Sequence, residues 1–304
     1  MMTIIEKIAE VNAVVGEGPV WDPENNTLIW TDIQTGRLFH YDPLTNQNQQ
    51  VHDGFNVGGF AINKYGGLVA CIWDGIVLWN SDDDWVRIFD EKFEGELLRF
   101  NDVISDPVGR MFAGSVIEGG LGRLYRFDPN GRAEVVEEGI GCSNGMGYSP
   151  DESTMYYTDS AVRTIYAYDY DKETGTLSNR RDFVKLPSTA GVPDGMTVDM
   201  EGYVWSAVWF DGCIIRFDPD GVEERRISLP AIQTSSVMFG GAELTDIYVT
   251  TAGISVEPGS PLDPENYNWQ AYKQGYHGGG LFRVRQDIQG KPEYKACFPW
   301  PNRS

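Results

Sequence analysis

Apolar runs of about four to seven residues alternate with clusters of Gly, Asp, Asn and Pro along the whole chain. Val, Ile, Tyr, Trp and Phe fill the runs, and their branched or flat side chains suit a pleated surface. The clusters between them carry turn chemistry, helped by 35 glycines. A sustained helical period is absent, so short helical turns are expected only within LLRFNDVI (97–104) and within 261–275.

The strand-and-turn pattern recurs six times. Its clearest copies are GPVWDPENNTLIWTDIQTGRLFHYDP (18–43), NDVISDPVGRMFAGSVIEGGLGRLYRFDP (101–129), NGMGYSPDESTMYYTDSAVRTIYAYDY (144–170) and DGMTVDMEGYVWSAVWFDGCIIRFDP (194–219). Weaker copies are GGFAINKYGGLVACIWDGIVLWNSD (58–82) and SSVMFGGAELTDIYVTTAG (235–253), the last completed by GGLFRVRQ (279–286). The first turn residues are Asp22, Asn63, Asp106, Ser149, Asp199 and Gly240, spaced 41, 43, 43, 50 and 41 apart. Each copy holds three visible strands with room for a fourth, which is the length of a propeller blade. The expected fold is all-β, a six-bladed β-propeller formed by residues 1–304 as one domain, a length closed β folds reach. Either MTIIEKIAE (2–10) or EYKACF (293–298) could supply the last outer strand.

Bulk composition narrows the function. There are 24 Lys and Arg against 45 Asp and Glu, a formal charge of −21. Nucleic acid and anionic membranes both call for a basic surface, so neither is an expected partner. A hydrophobic content of 41% supports a full core. No apolar run reaches membrane-spanning length. Cys71, Cys142, Cys213 and Cys297 are far apart and form no CxxC pair, which removes zinc-ribbon and thioredoxin-like readings. With no signal-like leader, reduced thiols in a cytoplasm are expected.

The repeat also aligns chemistry. Five residues before each turn anchor lie Glu17, Gly58, Asn101, Asn144, Asp194 and Ser235. Alone, each is an ordinary loop residue, and SNG and PDG read as common turn sequences. Around a propeller axis, however, the six positions converge at the mouth of a central channel, and four carry carboxylate or amide oxygens. Two converging carboxylates repel unless a cation lies between them. Hard oxygen donors suit Ca²⁺ first, then Mg²⁺ or Mn²⁺, while carboxylates bind Zn²⁺ and Fe²⁺ as well. Arg99, two residues before Asn101, offers a guanidinium fork for ligand oxygens. The loops joining second to third strands share that face. They hold Trp73, Glu118, Trp209 and Phe210, and a long stretch, 253–279, expected to cover the site. Of the three histidines, His40 and His52 fall on outer strands and only His277 could approach. There is no GxSxG, HExxH or phosphate-binding loop.

GEGPVWD (16–22), RFNDVISDPVGRMFAGS (99–115), NGMGYSPDESTMYYTDS (144–160), PDGMTVDMEGYVWSAVW (193–209) and SSVMFGGAELTDIYVTTAG (235–253) resemble, in order, the motifs of the senescence marker protein / gluconolactonase / luciferin-regenerating enzyme family. The resemblance implies one divalent cation in the channel and, in many members, hydrolysis of sugar lactones to aldonic acids. It puts the metal ligands on Glu17, Asn144 and Asp194, with Asp194 also as general base. It puts substrate contacts on Arg99, Asn101 and, less firmly in register, Glu118. One departure is visible: the family usually has Asn-Asp-Gly where this chain has Asn101-Asp102-Val103. The family also contains hydrolases of other lactones, esters and organophosphates, and a non-catalytic calcium-binding propeller is the third reading open to this chain.

Overall fold

The computed structural model describes residues 3–90, 92, 93, 96, 97, 99–117 and 121–301. Its strands form six four-stranded antiparallel sheets and one two-stranded ribbon, Lys92–Phe93 with Glu96–Leu97. The first five each run from the inside outwards in chain order. They start at Gly16–Asp22, Val57–Ile62, Phe100–Ser105, Ser143–Tyr148 and Val192–Val198. The sixth begins at Thr234–Gly240 and continues through Asp246–Thr251 and Gly280–Arg285. Its outer strand is Ile4–Glu10, paired antiparallel to Gly280–Arg285. The N-terminal segment therefore closes the ring. The alternative closure by 293–298 does not occur.

Burial follows from this radial order. Innermost strands are covered on both faces, so Ser143–Tyr148 and Thr234–Gly240 are buried throughout. Outer strands such as Thr176–Lys185 are largely exposed and polar. The apolar core is divided into six clusters, one between each pair of adjacent blades. This explains why a middle strand such as LVACI reads as a continuous apolar run, since both faces pack against a neighbouring blade.

The turn anchors lie on the face opposite the candidate site, and most act as side-chain acceptors for their own turns. Asp22 accepts from the backbone of Glu24, Asp106 from Val108, and Asp199 from Glu201. The C-terminal segment runs across this same face. Asn63 holds Phe298 by two hydrogen bonds, Nδ2 to the carbonyl at 2.8 Å and the amide N–H to Oδ1 at 3.1 Å. Trp300 donates to Gly66 O, Met200 N to Gln289 O and Gly290 N to Leu244 O. Phe298 and Trp300 join the core cluster between the second and third blades, while Glu293 and Tyr294 face the channel. The segment that could have been a strand is instead a floor for the channel.

The helical expectation holds at Trp269–Gln274, within 261–275. It fails in 97–104, where Phe100–Ser105 is the innermost strand of the third blade. Every cysteine is unpaired, and no helix among the described residues is long and apolar enough to cross a membrane. Because Phe298 is buried against both blades, Phe298→Ala should cost about 3–5 kcal/mol of unfolding free energy. Urea denaturation monitored by tryptophan fluorescence measures it.

Candidate active site at the channel mouth

Every innermost strand loses register with its neighbour at the same place. The breaks fall between Glu17 and Val20, Val57 and Gly59, Phe100 and Val103, Ser143 and Met146, Pro193 and Met196, and Thr234 and Ser236. Within or at the edge of each break sits one of the six aligned residues. A bulge re-aims a side chain that regular alternation would direct elsewhere. SNG and PDG, which read as turns, are therefore bulged strand. Their glycines have a packing reason: a Cβ at Gly145 would lie 2.5 Å from Met196 N, and one at Gly195 would lie 2.0 Å from Ser236 Oγ. Gly58 is constrained the same way, 2.1 Å from Phe100 O. Ser235 donates to Gly16 O at 2.5 Å, tying the last blade to the first.

Glu17, Asn101, Asn144 and Asp194 line one cavity of about 220 Å³. Val15, Ile33, Val192, Trp209 and Phe210 supply its apolar wall. Glu17 and Asp194 are only 4% and 5% exposed. Glu17 accepts the N–H of Gly18, and Asp194 that of Gly195. Among the described residues neither carboxylate pairs with Lys or Arg. Asn144 is oriented by its Nδ2, which donates to Ser160 Oγ at 2.8 Å, while Ser160 donates to Pro193 O. Asn144 Oδ1 then accepts from Asn101 Nδ2 at 2.7 Å. Asp159 supports the approach to this strand by accepting the N–H groups of Gly141 and Cys142, and Asp32 does the same for Val14 and Val15 before Glu17.

Electrostatics mark the same place. Burial first, then the charges of Asp194 and Asp102, push the Glu17 carboxyl well above its ordinary range. Asp194 is raised likewise, by burial and then by Asp102. Burial raises Asp102 itself to about 7. The Cys142 thiol is pushed up to about 12 by burial and then by these acids, so it is no nucleophile. Asp102 is a functional candidate that the sequence reading missed. It lines a narrower chamber of about 60 Å³ with Met146, Met196, Met238 and the tail residues Glu293 and Tyr294.

Buried, like-charged carboxylates without a protein countercharge, joined by an amide oxygen, fit a hard divalent cation. Among the described residues no three His, Cys, Asp or Glu side chains gather as a metal group; beside Glu17 and Asp194 the cavity offers the side-chain amides of Asn101 and Asn144.

Other expected residues fall around this centre. Arg99 is half-buried, with its guanidinium 4.5 Å from the Trp73 ring; neither residue lines the cavity. Glu118 lies outside the described residues. The 252–279 loop crosses the mouth, contributing Val256, Ser260, Leu262 and Asp263 to the cavity wall. Tyr267, Trp269 and Tyr272 of this loop pack around Phe210, whose backbone is held at φ 76°. His277 stacks on Tyr272 and stays out of the cavity.

The family model for the SMP-30/gluconolactonase/LRE-like region matches residues 15–253. The chain is 39% identical to the pentonolactonase XacC of Haloferax volcanii, over 96% of this chain and 98% of that one. It is 33% identical to human regucalcin, covering 92% and 93% of the two chains. A solved luciferin-regenerating enzyme superposes with a TM-score of 0.87 at 27% identity, covering 98% of this chain and 100% of that one.

The raised carboxyls give a pH signature. A carboxyl with a higher pKa folded than unfolded binds its proton more tightly in the folded state. Its contribution is present at low pH and is lost as pH rises through the folded value. The melting temperature of chelator-treated protein should therefore fall between about pH 5 and about pH 8, and added Ca²⁺ should raise it more at the upper end. Differential scanning fluorimetry checks both.

Proposed function

The chain belongs to the SMP-30/gluconolactonase/LRE-like family, and we propose that it hydrolyses the ring ester of a sugar lactone to the open-chain aldonic acid with the help of one divalent cation. The observation that carries this reading is the pair of buried, unpaired carboxylates, Glu17 and Asp194, opening with Asn144 onto one partly apolar cavity. The name of the 39%-identical relative, a pentonolactonase, supports a five-carbon aldonolactone as the first substrate to try.

Glu17, Asn144 and Asp194 would hold the cation, which when bound polarises the lactone carbonyl and offsets charge on the opening ring. The chain's own residues do the rest. Asp194 accepts the proton of the attacking water on its carboxylate; a carboxylate that also holds a cation is a weak base, so the lowered pKa of that water would supply much of the driving force. Asn101 commits its Nδ2 to Ser143 O and Asn144 Oδ1. Its Oδ1 is then available to a substrate hydroxyl. Trp209 and Phe210 give the sugar ring an apolar face, and the loop across the mouth limits water around the ester. Arg99 on Trp73 would meet substrate oxygens at the rim.

In a pH-stat assay, pentonolactone should open faster than the buffer blank, and a chelator should abolish the excess until a divalent cation is returned. Asp194→Asn should lower kcat by roughly 10²–10⁴-fold. Turnover that resists both chelation and Asp194→Asn would sink the reading.

A further inference from the structure

Phe210, Asp211 and Gly212 link the strands Val204–Trp209 and Cys213–Phe217 at the channel mouth. Phe210 holds φ at 76°, a conformation that a bulky residue rarely adopts and that glycine adopts freely. The backbone there is tied on several sides. Tyr267 of the mouth loop donates to Phe210 O at 2.9 Å, Gly191 N to Asp211 Oδ1 at 3.0 Å and Gly212 N to Ile232 O at 3.0 Å. Two cavities meet at this residue. One is the cavity of about 220 Å³ that holds Glu17, Asn144 and Asp194. The other, about 290 Å³, is a trough walled largely by Leu229, Pro230, Ala231, Ile232 and Ala271. Among the described residues Phe210 alone lines both. Its ring packs with wall residues of each: Trp209 of the first at 6.4 Å between ring centres, Tyr267 and Tyr272 of the second at 5.3 Å and 6.2 Å.

Backbone strain persists only where the surroundings enforce it, and here it secures an aromatic ring at the boundary of two spaces. The trough beyond is mainly aliphatic, so an alkyl chain would gain by leaving water for it. The ring denies that gain by occupying the passage, and a steric barrier of this kind rejects a ligand that the rest of the site could accept. We propose that Phe210 is a specificity residue: its ring closes the substrate cavity against the aliphatic trough, so that the site takes compact polyhydroxylated lactones and rejects those whose ring carries an alkyl chain directed at the trough. The partition rests on the two cavities; that the rejected molecule is a lactone rests on the lactonase reading, which the proposal deepens.

Phe210→Gly is the discriminating variant, because it removes the ring and suits the backbone. Wild type and variant are compared on a pentono-1,4-lactone and on its 2-O-hexyl and 5-O-hexyl ethers, which differ from it only by the chain. Binding of hexyl β-xyloside, a sugar with the same chain and no ester, is measured by calorimetry, and folding by the melting temperature. The ratio of kcat/KM, ether over parent, should rise by roughly 10- to 100-fold for at least one ether, and the affinity for hexyl β-xyloside by a similar factor. Phe210→Leu, with a shorter apolar side chain, should move both in the same direction by roughly 3- to 10-fold, and it carries the test where the glycine variant fails to fold. A wild type that opens both ethers as readily as the parent overturns the proposal. So does a folded variant with unchanged ratios for both ethers or unchanged xyloside affinity. A loss equal on all three lactones, tracking a lower melting temperature, leaves the ratios unchanged and overturns it too. A wild type active on the parent lactone with any of those results refutes the role of Phe210 alone. A wild type inert on every lactone refutes the lactonase reading; the xyloside then decides the partition, which a gain in affinity supports and an unchanged affinity refutes.

Discussion

Glu17 and Asp194 can share the top of the channel only because the innermost strands all break register at one height. In four blades the bulge aims a polar side chain, Glu17, Asn101, Asn144 or Asp194, into one cavity, and the adjacent ladder keeps the rest of the blade regular. Glycines at 145 and 195 let neighbouring blades approach closely at this point, where a Cβ would strike the next strand. The consequence is electrostatic. Side chains from separate blades meet in a buried space, and the two carboxylates among them have no cation beside them among the described residues. Their raised proton affinity is the cost of that convergence, and a divalent cation is the simplest species that offsets it.

The channel is finished at both ends by segments outside the repeat. At one end the C-terminal stretch, clamped by Asn63 and filled by Phe298 and Trp300, makes a floor. At the other the 252–279 loop, with its own aromatic packing around Phe210 and Tyr272, narrows the mouth. The repeat thus brings Glu17, Asn101, Asn144 and Asp194 to one cavity, and the two irregular segments supply enclosure. Closure by Ile4–Glu10 keeps the first and last blades in contact, which Ser235 reinforces through Gly16 O.

Much of this could be read from the chain because a six-fold repeat averages out local ambiguity. The spacing of Asp22, Asn63, Asp106, Ser149, Asp199 and Gly240 gave blade number and the aligned inner positions together. The parts that could not be read are those the repeat does not govern. IIEKIAE and EYKACF look alike as edge strands, and only tertiary packing distinguishes the strand from the floor. Asp102 was hidden by alternation: beside Asn101 in a regular strand it should face away, but the bulge leaves both residues facing channel space. His277, the one histidine within apparent reach, is diverted onto Tyr272. Val256 and Leu262, which the mouth loop adds to the cavity wall, sit in a stretch with no periodic signal.

The account turns on whether a cation binds between Glu17, Asn144 and Asp194. Anomalous diffraction from crystals soaked in Mn²⁺, recorded at a wavelength where manganese scatters anomalously, tests this directly. The predicted result is a strong peak within coordination distance of oxygen atoms from all three side chains, absent from Glu17→Gln crystals treated identically. No peak there, or a peak held by other residues, would contradict it.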